Sequence, residues 1–108
     1  MNEWMRVNWR AAIVLGDNKR VIHGRASRVG KSEVIVSADH SLRPGYQCTV
    51  ALILPKDSLG ATGQVMKSNA EVVVSVLTGM QFNITLKWLE MDAYFKQFLE
   101  GMLSRSEY

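Results

Sequence analysis

The chain has 108 residues, 47% of them apolar, and a formal net charge of +3 with an isoelectric point near 9.2. That is the length of one domain with enough apolar content to bury a core, which excludes both a second domain and intrinsic disorder. No run approaches the ~20 apolar residues of a membrane span, and the Met1 to Arg6 start lacks the apolar stretch of a secretory signal, so a cytoplasmic protein is expected.

The cationic weight lies at the front of the chain. Arg6, Arg10, Lys19, Arg20, Arg25, Arg28 and Lys31 are opposed in the first 31 residues only by Glu3 and Asp17. Trp9 to Leu15 predicts a first strand and Gly16-Asp17-Asn18 its turn. Lys19 to Ala26 predicts a second strand, Val29-Gly30-Lys31 a turn, and Val34 to Val36 the centre of a third strand. After a loop from Ala38 to Gly45, Tyr46, Cys48, Val50, Leu52 and Leu54 recur at period two, the mark of a half-buried strand. Pro55 and Gly60 bound the next loop. Gly63 to Lys67, Val72 to Val76 and Met80 to Leu86 supply the remaining strands. The period then changes: Asp92 is suited to an N-cap, and Phe95, Phe98, Leu99 and Met102 follow at helical spacing, which places an apolar stripe against one end of the β-structure. Six or seven short strands and one helix predict an all-β antiparallel barrel or sandwich with a C-terminal helix.

Catalytic and metal chemistry find no constellation. Cys48 sits in an alternating apolar run, which favours a buried thiol. His23 and His40 have no second ligand at helix or hairpin spacing, so no metal site is expected. Glu33, Asp39 and Asp57 are scattered over turns and strand edges, and no Ser/His/Asp or Cys/His order suggests a triad, so an enzyme is not expected.

Two basic segments flank the first predicted hairpin. Arg6-Val7-Asn8-Trp9-Arg10 is an Arg-x-x-x-Arg arm ahead of strand one; Arg25-Ala26-Ser27-Arg28-Val29-Gly30 is a turn after strand two. In a barrel the two can lie on one surface. Arginine presents a planar fork of donors that matches phosphate oxygens and the O6/N7 edge of guanine, and it stacks on purine faces. A Ser-x-x-Gly turn adds a hydroxyl and exposed N–H groups, and Gly30 permits positive φ or close ligand approach. Each signal alone is weak, because solvated surface arginines and plain turns give the same patterns.

Taken in order, the Arg-x-x-x-Arg arm, the hairpin and the Ser-x-x-Gly turn resemble a PilZ domain. Leu42-Arg43-Pro44-Gly45 before a long alternating strand, Ala61-Thr62-Gly63-Gln64-Val65, and Gly79-Met80-Gln81-Phe82 are similar to the family's later segments. The resemblance runs from Arg6 to about Met102 and implies a single domain over 1–108: a flexible arginine arm at 1–10, a six- to seven-stranded antiparallel β-barrel of PilZ type at 11–88, and a helix at 92–103. It also implies a receptor for cyclic di-GMP, with no cofactor, whose liganded surface engages a protein partner; nucleic acid is not favoured, since +3 is modest for that purpose. The binding set it implies is Arg6, Arg10, Arg25, Ser27 and Gly30. Arg25 departs from the pattern, standing where the family carries Asp or Asn to accept hydrogen bonds from a guanine N1/N2 edge. Arginine has no acceptor. The alternative expectation is therefore an adaptor that keeps the fold without the ligand. For Trp9, packing into the barrel end is favoured over stacking on a guanine. Met5, rather than a further arginine before Arg6, favours one ligand molecule per chain.

Overall fold

The structure, a computed structural model, describes residues 4–16, 20–54, 65–91 and 93–105. Expectations for Asp17, Asn18, Asp57, Asp92, the Pro55 to Gly60 loop and Ala61 to Gln64 lie outside the described residues.

Alternation of apolar and polar side chains builds each strand. In β1 (Trp4–Val14) Met5, Trp9, Ala11 and Ile13 turn inward while Arg6, Asn8 and Arg10 face out. β2 (Val21–Gly30), β3 (Glu33–Ala38), β4 (Gln47–Ile53), β5 (Val65–Thr78) and β6 (Gln81–Trp88) follow. All neighbours are antiparallel, and they close into a barrel in the order β1-β2-β3-β6-β5-β4. Closure gives most strands a partner on both sides and so removes most exposed edges.

The interior holds Ile13, Val29, Val34, Val36, Val50, Leu52, Val72, Ile84 and Leu86, all essentially inaccessible to solvent. One helix, α1 (Ala93–Arg105), covers the end of the barrel where β1 starts and β2 finishes. Phe95, Leu99 and Leu103, spaced four apart, drive its buried face. Phe95 meets Trp88 edge-on at 5.6 Å, and Phe98 lies 6.4 Å from Trp9. Trp9 is therefore a core residue of the plugged end, as the sequence favoured.

The all-β barrel with a C-terminal helix is thus found, with six strands among the described residues. Three boundaries differ from expectation. β1 begins at Trp4, not Trp9, because Met5 and Trp9 both reach the core and Trp4 pairs with Gly30. Hence Arg6 and Arg10 lie on a strand rather than ahead of one. β2 likewise runs through Ser27 to Gly30, where a turn was expected; the reversal falls at Lys31 and Ser32. The segments around Lys67 and Val72 to Val76 are one strand, β5, because Ala70 between them is fully buried.

Three irregularities shape this barrel. Val7 and Asn8 of β1 stand against Ser27 alone on β2, and Ser27 is itself an extra residue relative to β3. On the far side Val73 is an extra residue of β5 relative to β6. Such bulges bend a strand and re-aim its side chains.

Candidate functional site: an arginine-lined outer face

The register of β1 and β2 decides what the arginines can do. Arg10 stands directly opposite Arg25, and Arg6 directly opposite Arg28, all four exposed on the outer wall. Like charges across an antiparallel pair repel, and none of the four has a carboxylate partner among the described residues, where the ion pair is Lys87 with Glu71 at 3.5 Å. Two of them have neutral partners. Arg25 Nη1 donates to Asn8 Oδ1 at 3.2 Å, and the Arg28 guanidinium lies over the Trp4 ring at 4.4 Å from its centroid. The face is a set of fixed positive charges with spare donors, suited to an anion with planar oxygens or a purine edge.

Beside these arginines runs an open groove of about 780 Å³, bordered by Asn8, Arg10, His23, Arg25, Ser27 and Gln81. The coinciding bulges at Ser27 form its inner wall, and the Ser27 hydroxyl donates to the Ile35 carbonyl at 3.5 Å. Its far rim is a polar chain: Ser37 Oγ donates to Gln81 Oε1 at 2.7 Å, and Gln81 Nε2 donates to Asp39 Oδ1 at 3.4 Å. Gly24 lies in the floor for a steric reason. A Cβ there would collide with the Ser37 carbonyl oxygen and press on Val36 and Ala38, so β2 and β3 approach this closely only with glycine.

Of the residues singled out in the sequence, Arg10, Arg25 and Ser27 come together on this groove. Arg6 sits two pairs further along β1, beside Arg28 and outside the lining. Gly30 is separate: it is buried at the end of β2, where its carbonyl accepts from Trp88 Nε1 at 3.0 Å. Positive φ is found instead at Gly45 and Gly79, so a tight-turn role for Gly30 is corrected. Sequence reading assigned no site role to Asn8, His23, Gly24, Ser37 and Gln81. Gly24 alone carried a signal, as a glycine inside a strand pattern. The others come together only through the β2–β3–β6 pairing.

A larger cleft of about 960 Å³ lies at the opposite end of the barrel from α1, between Arg20, His40, Arg43 and Tyr46. Neither basic motif reaches it, so its size does not make it the better candidate. Cys48 offers no alternative chemistry, since burial pushes its thiol up to about 11 and keeps it protonated and inert. Among the described residues no group of His, Cys, Asp or Glu is arranged to hold a metal ion, and no helix is long and apolar enough to cross a membrane.

No family model and no curated protein sequence matches the chain. Solved structures do. The PilZ domain of Escherichia coli YcgR with c-di-GMP superposes with a TM-score of 0.66 at 12% identity, covering 98% of this chain and 91% of that one. The fold is of PilZ type. A second PilZ-domain structure, from Xanthomonas campestris and described as a tetramer assembled through a helical bundle, matches at TM-score 0.58 and 19% identity over 77% of this chain and 43% of that one. The Bacillus subtilis inhibitor of motility MotI/DgrA gives 0.76 at 12% identity over 97% of this chain. The PilZ-type barrel described above spans about half of that protein, 51% of its length.

Proposed function

We propose that the arginine face receives cyclic di-GMP and that the chain acts as a second-messenger receptor or adaptor rather than an enzyme. The observation that carries this reading is the two cross-strand arginine pairs, Arg6 opposite Arg28 and Arg10 opposite Arg25, without carboxylate partners among the described residues, the second pair lining a groove. A dianionic dinucleotide relieves that repulsion and supplies the planar oxygens and guanine edges that arginine forks recognise. The YcgR domain of the same fold is described with this ligand. In this reading Arg10 and Arg25 grip phosphate or guanine at the groove, Arg6 reaches in from the next position along β1, and Ser27 offers its hydroxyl. Gly30 contributes at most through the backbone at the end of β2.

β1 also suggests how binding is transmitted. Its pairing with β4 covers only Arg10 to Val14, so the backbone of Trp4 to Trp9 pairs with β2 alone among the described residues. A segment bonded on one edge opens more readily than the rest of the barrel. Ligand contacts to Arg6 and Arg10 order it and present an altered surface to a protein partner. Calorimetric titration of the full chain with cyclic di-GMP tests the reading: saturable, micromolar-range binding that Arg6→Ala or Arg10→Ala severely weakens is expected. No heat and no saturation at high ligand concentration contradicts it.

One observation favours a second reading. Arg25 stands where the family carries its acceptor, and it engages the Asn8 side-chain carbonyl across the strand pair. A chain that keeps the fold without the ligand would then be a protein-binding adaptor. Arg25→Asp separates the two: binding that appears only in the variant identifies the natural chain as the adaptor.

A further inference from the structure

The end of β5 combines a one-sided strand with an uncharged, apolar sequence. β4 pairs with β5 only from Val65 to Glu71. Val72 then gives its N–H to the Tyr46 carbonyl, and its own carbonyl accepts from the Gly45 N–H. Beyond it and the bulged Val73, Val74 to Thr78 pair with β6 on one side and with no strand on the other, among the described residues. Past the bulge at Val73 the apolar side chains of this strand end stay in solvent: Val76 is 51% exposed, Leu77 61% and, in the turn that follows, Met80 95%. The loop preceding β4 touches this segment through Ser41, whose hydroxyl donates to that of Ser75 at 3.3 Å. No charged residue occurs between Glu71 and Lys87.

A free β-edge of apolar, β-branched residues is a template for strand addition, and proteins ordinarily blunt such edges with charge, proline or a covering element. Charge and proline are absent from this one, and among the described residues the covering loop meets it through its backbone at Val72 and through one side-chain hydrogen bond, Ser41 to Ser75. We propose that Val73 to Thr78 pairs antiparallel with the same segment of a second copy, making a two-fold dimer. The occupant follows from charge and symmetry. An uncharged strip offers no complement to a charged partner, whereas it meets its own copy without like-charge cost, and an antiparallel pair of identical strands satisfies two-fold symmetry by construction. A pair centred on Val76 sets Val76 against Val76, Ser75 against Leu77, and Val74 against Thr78, so residues facing one another lie on the same face of the joined sheet.

Sedimentation of the full chain over a wide concentration range provides the test, using the wild type and the single variants Val76→Glu and Val76→Lys. The wild type is expected to self-associate reversibly. Either charge, placed against its own copy, weakens association roughly tenfold or more, and mixing the two variants restores it, because Glu then faces Lys. Circular dichroism of each variant confirms that the barrel is intact, and restored association on mixing itself requires folded chains. A wild type that remains monomeric throughout overturns the proposal, as does a dimer that both variants leave unchanged, or a mixture that stays monomeric.

Discussion

Among the described residues, the start of β1 and the end of β5 both run past a neighbouring strand, and the two differ in charge. Trp4 to Trp9 of β1 has β2 on one side and, among the described residues, no strand opposite, and it carries Arg6 with Arg28 stacked on Trp4 nearby. Val73 to Thr78 of β5 has β6 on one side and, among the described residues, no strand opposite, and it carries no charge. The first edge repels a second copy of itself and attracts an anion. The second has nothing to repel its own copy. One closed sheet therefore presents two half-open edges whose chemistry directs them to different partners. Both depend on bulges, at Ser27 and at Val73, that turn the strand out of the core pattern.

The largest effect should fall on the end of the barrel that carries the arginine edge. Leu99 is fully buried beneath that end, and Leu99→Ala should cost about 2–5 kcal/mol of stability, measured by denaturant unfolding. Arg10→Ala should lose about 1.5–3 kcal/mol of cyclic di-GMP affinity, roughly ten- to hundredfold, while leaving sedimentation unchanged. A loss of self-association in that variant would break the division between the two edges. Gly24→Ala should lower stability by about 1–3 kcal/mol by forcing β2 from the Ser37 carbonyl; because Gly24 floors the groove, affinity should fall with it, read by thermal unfolding and titration in parallel. The smallest effect belongs to Trp4→Ala. Removing an exposed cation–π contact worth about 0.5–1 kcal/mol should speed amide exchange at the start of β1 and leave the β5–β6 hairpin untouched.

Much of the fold was legible because period-two alternation is a direct imprint of burial. Tyr46 to Leu54 and Met80 to Leu86 fell close to β4 and β6, and the Phe95, Leu99 stripe to α1. The failures share a cause. Ser27 and Gly30 carry turn chemistry, and Arg6 with Arg10 carries that of a solvated arm, yet long-range pairing of Trp4 with Gly30 pulled both into strands. Tertiary pairing overrode local preference. Glu71 beside Ala70 hid the continuity of β5, since the residue that decides it, Ala70, is small. At the site, Arg10, Arg25 and Ser27 were legible because their chemistry announces itself. Asn8, Ser37 and Gln81 were not, since ordinary polar residues acquire a role only when register brings them to one rim.

The most direct test of the account is an amide-resolved map of the full chain titrated with cyclic di-GMP. It should show saturable shifts over Arg6 to Ala12, His23 to Arg28, Ser37 and Gln81, and none over Val73 to Met80. No saturable shift at any amide, or shifts centred on the β5–β6 hairpin or the Tyr46 cleft, would contradict the claim that the arginine edge is the ligand face.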